Sequence, residues 1–115
     1  MEFSRALKLN HVFQRLYSKG QSTANRYLVL YCRRNGSAEN RVGITVSKKL
    51  GCAVVRNRAR RRLRECYRLN EHLLRPGFDV VIVARSRCID VPFSKLQSAF
   101  CGAAEAVGLA REKKQ

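Results

Sequence analysis

Acidic residues are scarce in this chain, with 8 Asp plus Glu against 24 Lys plus Arg, a formal net charge of +16. The few acids are scattered, and no Ser/His/Asp or Cys/His set is spaced for nucleophilic catalysis. Histidine is rarer still, limited to His11 and His72. The cysteines Cys32, Cys52, Cys66, Cys88 and Cys101 are odd in number and contain no CxxC pair, so neither a disulfide framework nor a zinc-ligand spacing is visible. Several lie within apolar patterns, as reduced thiols of a cytoplasmic protein do. The longest wholly apolar run, Val80 to Ala84, is far too short to cross a bilayer. No signal-peptide core marks the N-terminus, where Glu2, Arg5 and Lys8 interrupt isolated apolar residues. Glycine-rich phosphate loops of the P-loop or dinucleotide type are also missing. These absences argue against a metalloprotein, a membrane span and an enzyme working through its own side chains.

What is present is positive charge, and it is clustered. A length of 115 residues fits one domain, and 45% apolar content supplies a core. Charge of this size and sign requires a polyanionic partner or leaves strong self-repulsion. The densest stretch is Val42 to Arg68, VGITVSKKLGCAVVRNRARRRLRECYR. It contains Lys48, Lys49, Arg56, Arg58, Arg60, Arg61, Arg62, Arg64 and Arg68 against one acid, Glu65.

Periodicity organises the chain around that stretch. Residues 1–9 read as an extended lead-in. Asn10 is a plausible N-cap, Val12, Phe13, Leu16 and Tyr17 follow at helical spacing, and Gly20 is the stop. Tyr27 to Cys32 reads as a buried strand, with a further short strand possible near Ser22 to Ala24. Asn35-Gly36 is a hairpin signal, and Arg41 to Ser47 alternates as a second strand expected antiparallel to the first. Gly43 on that strand either admits a ligand backbone or marks a bulge. A second helix is expected from about Val55 to about His72. Its apolar stripe of Val55, Ala59, Leu63 and Cys66, with Leu73 near the end, fills an arc of roughly 80°. Arg58, Arg60, Arg61, Arg62, Arg64 and Arg68 spread over roughly 200° on the other side. Pro76-Gly77 is a turn, and Asp79 to Ala84 is a central strand. A last helix after Val91-Pro92 carries Phe93, Leu96, Phe100, Ala103 and Val107, with a frayed tail over 108–115. The order α-β-β-α-β-α gives an α+β fold, a small sheet packed with three helices.

The basic helix suits phosphate binding in a structured RNA, because arginine grips phosphate bidentately and stacks on bases. Phe13, Tyr17, Tyr27 and Tyr31 offer stacking surfaces for a single strand. Tyr27 and Tyr31, four apart on one strand, are expected on the same face.

The segment RVGITVSKKLGCAVVRNRARRRLRE resembles the signature of the bacterial ribonuclease P protein subunit, a strand ending in Ser-Lys-Lys followed by a Val-x-Arg-Asn-Arg helix. His11 to Tyr17 with Gly20, Asn25 to Tyr31, and Asp79 to Arg85 resemble the first helix, first main strand and last strand of that family. The resemblance spans nearly all of residues 5–107. It implies a fold like the second domain of ribosomal protein S5, with a left-handed βαβ crossover. It implies a partner, the catalytic ribonuclease P RNA, which uses Mg²⁺ to remove the 5′ leader of precursor tRNA. The Mg²⁺ is then held mainly by the RNA, with no organic cofactor and no membrane. Carried over residue by residue, Arg56, Asn57, Arg58, Arg60, Arg61, Arg64 and Arg68 with Lys48 and Lys49 would contact the catalytic RNA. Phe13, Tyr17 and Tyr31 would line the leader cleft. Tyr17 stands where phenylalanine is common, and Cys52 where a polar residue is frequent. The competing expectation is a ribosomal or RNA-chaperone protein that coats RNA without aiding catalysis.

Overall fold

The computed structural model describes residues 4–6 and 10–111, with side chains from residue 14 onward. Eight elements follow one another: β1 (Ser4–Ala6), α1 (Asn10–Lys19), β2 (Gln21–Ala24), β3 (Leu28–Arg34), β4 (Asn40–Thr45), α2 (Ala53–Asn70), β5 (Phe78–Ala84) and α3 (Phe93–Ala106). The strands form one sheet in the order β1-β4-β5-β3-β2. The α-β-β-α-β-α order therefore holds for the long elements. The lead-in and the polar stretch before Tyr27 supply two short edge strands.

The central place of β5 follows from its composition. A near-continuous β-branched run needs neighbours on both sides and cover on both faces. β4 runs parallel to it and β3 antiparallel, with Val80 opposite both Val42 and Cys32. This separates β3 from β4, which the Asn35-Gly36 signal pairs as a hairpin. The turn itself is real: Gly36 has φ +74 and Asn35 Oδ1 accepts from the Ser37 amide at 2.8 Å. Turn chemistry is local, whereas pairing is decided by β5, which enters between the two strands and buries more apolar surface than a β3-β4 ladder would. The tight hairpin of the sheet is β2-β3. Its connection is held by Asn25, whose Oδ1 accepts from Tyr27 and Leu28 amides and whose Nδ2 donates to Ala99 O.

The two faces of the sheet are covered unequally. On one face Leu28, Leu30, Cys32, Val42, Val80, Ile82 and Ala84 meet α2 and α3. Helix α2 contributes Ala59, Leu63, Cys66 and also Tyr67, whose ring meets Phe100 edge-on at 6.0 Å. Leu96, Phe100 and Ala103 of α3 complete this core. On the other face α1 alone among the described elements lies over the sheet, where Leu16 is buried on Val81 beside the half-buried Tyr31 and Val83.

Helix α2 begins two residues before the expected start and gives way at Glu71 to a single tighter turn ending at Leu73. That turn exposes Leu73 and buries Leu74, so the stripe expected through Leu73 shifts by one residue. The frayed tail gives way to packing for 108–111. Leu109 is fully buried, Ala110 bridges Leu74, and Arg111 Nε donates to Leu74 O at 2.9 Å. Residues 112–115 lie outside the described residues.

Candidate RNA-binding interface

Local chemistry places the basic surface at the head of α2. After β4 the chain makes one tight turn, Lys48–Leu50, with Ser47 Oγ accepting from the Lys49 amide at 3.2 Å. Gly51, at φ +143, redirects it into α2. Lys48 and Lys49 are thereby exposed beside the helix N-terminus, whose macrodipole adds positive potential.

Arg58, Arg61 and Arg64 are exposed, as is Asn57, while Arg56 and Arg60 are half-buried. Asn57 Oδ1 accepts from Arg60 Nη1 at 3.1 Å, which holds two members of the set together. The helix carries one acid, and Glu65 is committed. It takes Arg68 Nε on Oε2 at 3.0 Å and Arg68 Nη2 on Oε1. The contact lowers the Glu65 pKa and raises that of Arg68. Arg68 thus reaches the surface partly neutralised, unlike Arg58, Arg61 and Arg64. Arg62 departs from the expected wall. Its Nη1 donates to Ile89 O at 2.7 Å and its Nη2 to Val91 O, so it ties α2 to the connection before α3.

The half-covered face of the sheet carries an aromatic pair. Tyr17 of α1 and Tyr31 of β3 meet edge to face, with ring centroids 4.9 Å apart and planes at 75°. Tyr17 is 44% exposed, too open for a core residue. Val29, Thr45 and Val83 are half-buried around the pair. Gly43 sits opposite Val81 in unbroken register, so it is a flat point of the floor and not a bulge. The expected partnership of Tyr27 with Tyr31 does not form. Tyr27 precedes β3 and packs against the main core on the other side, because the Asn25 turn releases it from strand alternation. The side chain of Phe13, one turn before Tyr17, lies outside the described residues, as does that of Asn10.

A depression of about 770 Å³ beside the head of α2 is lined by Asn25, Arg26, Lys49, Leu50, Arg85, Ser86 and Arg87. Four of these are cations and none is an acid. Arg85 Nη1 donates to Asn25 O at 3.1 Å, which fixes one wall. Sequence reasoning leaves Arg26, Arg85 and Arg87 unassigned. The available signal is their placement at the ends of β3 and β5, where parallel and antiparallel neighbours bring chain ends together.

Among the described residues no three His, Cys, Asp or Glu side chains gather into a metal-binding group, and no helix is long and apolar enough to cross a membrane. The sequence model of the family described as Ribonuclease P matches residues 1–107. The chain belongs to the ribonuclease P protein family. Its relatives include the ribonuclease P protein component of Clostridioides difficile (strain 630), 46% identical over 99 residues that cover 84% of this chain and 87% of the relative. That of Alkaliphilus oremlandii (strain OhILAs) is 42% identical over 99 residues, 86% of this chain and 87% of the relative. Solved RNase P proteins share the fold. The Staphylococcus aureus structure superposes with a TM-score of 0.80 at 34% identity, covering 92% of this chain and 97% of that one. The Thermotoga maritima structure gives 0.77 at 31%, covering 85% and 93%. Membership makes this chain the protein component of ribonuclease P, the tRNA 5′-maturation enzyme, and a partner of ribonuclease P RNA.

Proposed function

We propose that the chain binds the catalytic RNA through Lys48, Lys49, Arg56, Asn57, Arg58, Arg60, Arg61 and Arg64, with Arg68 at the margin. In the same assembly it holds the single-stranded 5′ leader of precursor tRNA in the cleft of Phe13, Tyr17 and Tyr31. The observation that carries this reading is one combination: a tyrosine pair on a half-covered sheet face, with Tyr17 exposed, on the same small domain as a basic depression and an arginine helix whose one acid is already engaged. Stacking on the rings is tolerant of base identity, and the arginines neutralise phosphates. Placing leader and catalytic RNA on one rigid domain orients the scissile phosphodiester at little entropic cost during reaction. This surface is cationic and does not fit a Mg²⁺ site of the protein's own, so the Mg²⁺ of the reaction is held mainly by the RNA. The reading places the protein in the cytoplasm with its RNA. A coat protein of the ribosomal or chaperone type needs the arginine helix but not the tyrosine cleft.

Reconstitution tests the proposal. Added to bacterial ribonuclease P RNA at low Mg²⁺, the protein raises the rate of precursor tRNA cleavage. No increase with any of several such RNAs overturns it.

A further inference from the structure

At the end of the sheet remote from Lys49 and Arg85, two turns are tied to each other. One follows β3 and the other precedes β5, and the Asn35 amide donates to Gly77 O at 2.9 Å. They approach so closely that a Cβ at Gly77, where φ is +86, would lie 2.7 Å from Ser37 O. Asn40, buried in β4, fixes the second turn. Its Nδ2 donates to Arg75 O at 3.1 Å, and its Oδ1 accepts from the Phe78 amide at 2.8 Å. Each turn has an arginine beside it: Arg34 closes β3, and Arg75 precedes Pro76. Their guanidinium carbons stand 5.7 and 5.5 Å from the centroid of one ring, that of Phe78.

Arg34 and Arg75 line one hollow of about 360 Å³, together with Lys19 and Arg33, and no acid lines it. Its apolar lining, Cys32, Phe78 and Val107, belongs to the core that α2 and α3 cover. The hollow therefore opens beside the C-terminal end of α3, whereas Tyr31 and Leu16 belong to the other face of the sheet. Arg75 is held in place: its Nη1 donates to Gly108 O at 3.2 Å and its amide to Leu109 O at 2.7 Å. Neither Arg34 nor Arg75 is in an ion pair among the described residues, whose ion pairs are Arg41 with Asp79 and Arg68 with Glu65. A guanidinium already placed by a ring and by backbone loses less freedom when it grips a phosphate. The seven residues of β5 separate this hollow from Arg85 and the depression beside α2 by about 20 Å.

We propose that Lys19, Arg34 and Arg75 bind the phosphate backbone of a second segment of the catalytic RNA, separate from the segment at the head of α2. The inference rests on the RNA-binding reading of α2 and deepens it. A leader stacked on Tyr17 and Tyr31 lies across the sheet from this hollow. The segment at the head of α2 is a strand length away. A folded RNA reaches both places, because its backbone returns past one surface at several points. The domain then braces two parts of that RNA at a spacing set by the length of β5.

The test measures affinity of the protein for ribonuclease P RNA across a salt series, with Arg34→Ala set against Lys95→Ala. Each removes one charge from an exposed side chain, and Lys95 lies on α3 outside both hollows. Arg34→Ala is expected to weaken binding several-fold, and Lys19→Ala with Arg34→Ala about tenfold, the salt slope falling by about one for each phosphate no longer neutralised. Lys95→Ala is expected to change neither quantity. Nuclease footprinting supplies the second readout. The Lys19→Ala, Arg34→Ala variant should uncover one RNA segment, and Arg58→Ala with Arg61→Ala a different one. Equal effects of Arg34→Ala and Lys95→Ala, or loss of the same RNA segment by both pairs, overturns the second contact. So does a loss confined to the affinity of the assembled holoenzyme for mature tRNA, which would assign the hollow to the substrate. If Arg58→Ala with Arg61→Ala weakens RNA binding while the Arg34 variants do not, the second contact fails and the α2 reading stands. The α2 reading fails by itself if Arg58→Ala with Arg61→Ala changes nothing.

Discussion

Arginine does two jobs on α2, and Arg62 and Arg58 mark the division. Arg62 satisfies the carbonyls of Ile89 and Val91, whereas Arg58 faces solvent. Arg62→Ala strands those carbonyls and should lower stability by about 1–3 kcal/mol while leaving the salt dependence of RNA binding unchanged. Arg58→Ala should do the reverse, and chemical denaturation alongside a salt titration checks both. Helical spacing alone puts the two side by side, since it gives direction around the axis but not which carbonyls a neighbouring connection leaves open. The thiols divide similarly. Burial raises Cys32 to about 11 and Cys66 to about 12 from an ordinary 9.0. Stability from keeping them neutral is full below pH 9 and declines as pH climbs through that window. Urea midpoints should therefore fall on the alkaline side, and should do so less in Cys66→Ser. Exposed Cys52 is lowered instead, chiefly by the amides of Val55 and Val54 at the start of α2. Iodoacetamide should label Cys52 before any buried thiol, and bound ribonuclease P RNA should protect it. Labelling of Cys66 at a matching rate would contradict the packing described.

At the scale of the element, α1 depends on how closely it leaves the sheet. A Cβ at Gly20 would lie 2.6 Å from Leu16 O and 3.0 Å from Cys32 O, both backbone atoms that cannot swing away. Gly20→Ala should therefore displace α1 from β3 and cost on the order of 1–3 kcal/mol. By parting Tyr17 from Tyr31 it should also weaken binding of leader-bearing precursor. Wild-type affinity for that substrate would show that the rings act without touching each other. This glycine is legible in the sequence as a helix stop, but its closeness to β3 is not. The same limit explains the strands. Period-two alternation in Arg41 to Ser47 and the apolar run of Asp79 to Ala84 identify which elements are strands and which is central. Neither carries information about neighbours, so the Asn35-Gly36 turn points to a pairing of strands that β5 in fact separates. Tyr27 escapes its expected face for a related reason, because alternation holds only inside a strand and β3 begins one residue later.

At the scale of the whole molecule, charge and cover are the two quantities that define function. The arginine helix is legible because its 3.6-residue period is written in consecutive residues. The basic depression is not, since it gathers residues from elements far apart in sequence. The helix and the basic depression share one consequence. With a net charge of +16, the free domain carries self-repulsion that its few acids do not offset, and two of them, Glu65 and Asp79, already serve single arginines. Screening weakens that repulsion, with a Debye length of about 10 Å at 0.1 M salt. The free protein should therefore gain Tm as ionic strength rises from very low values, while a domain with balanced charges would change little. Ribonuclease P RNA should do the same more strongly, because it binds the folded surface specifically and shifts unfolding by about 4 kcal/mol at a thousandfold excess over Kd. The two effects should oppose each other in the complex, where added salt weakens RNA binding and lowers Tm. Calorimetry of protein alone and of complex across a salt series reads both slopes. Opposite signs follow from a surface whose charge is completed by RNA, and a falling Tm in the free protein would mean that the cations are balanced within the chain.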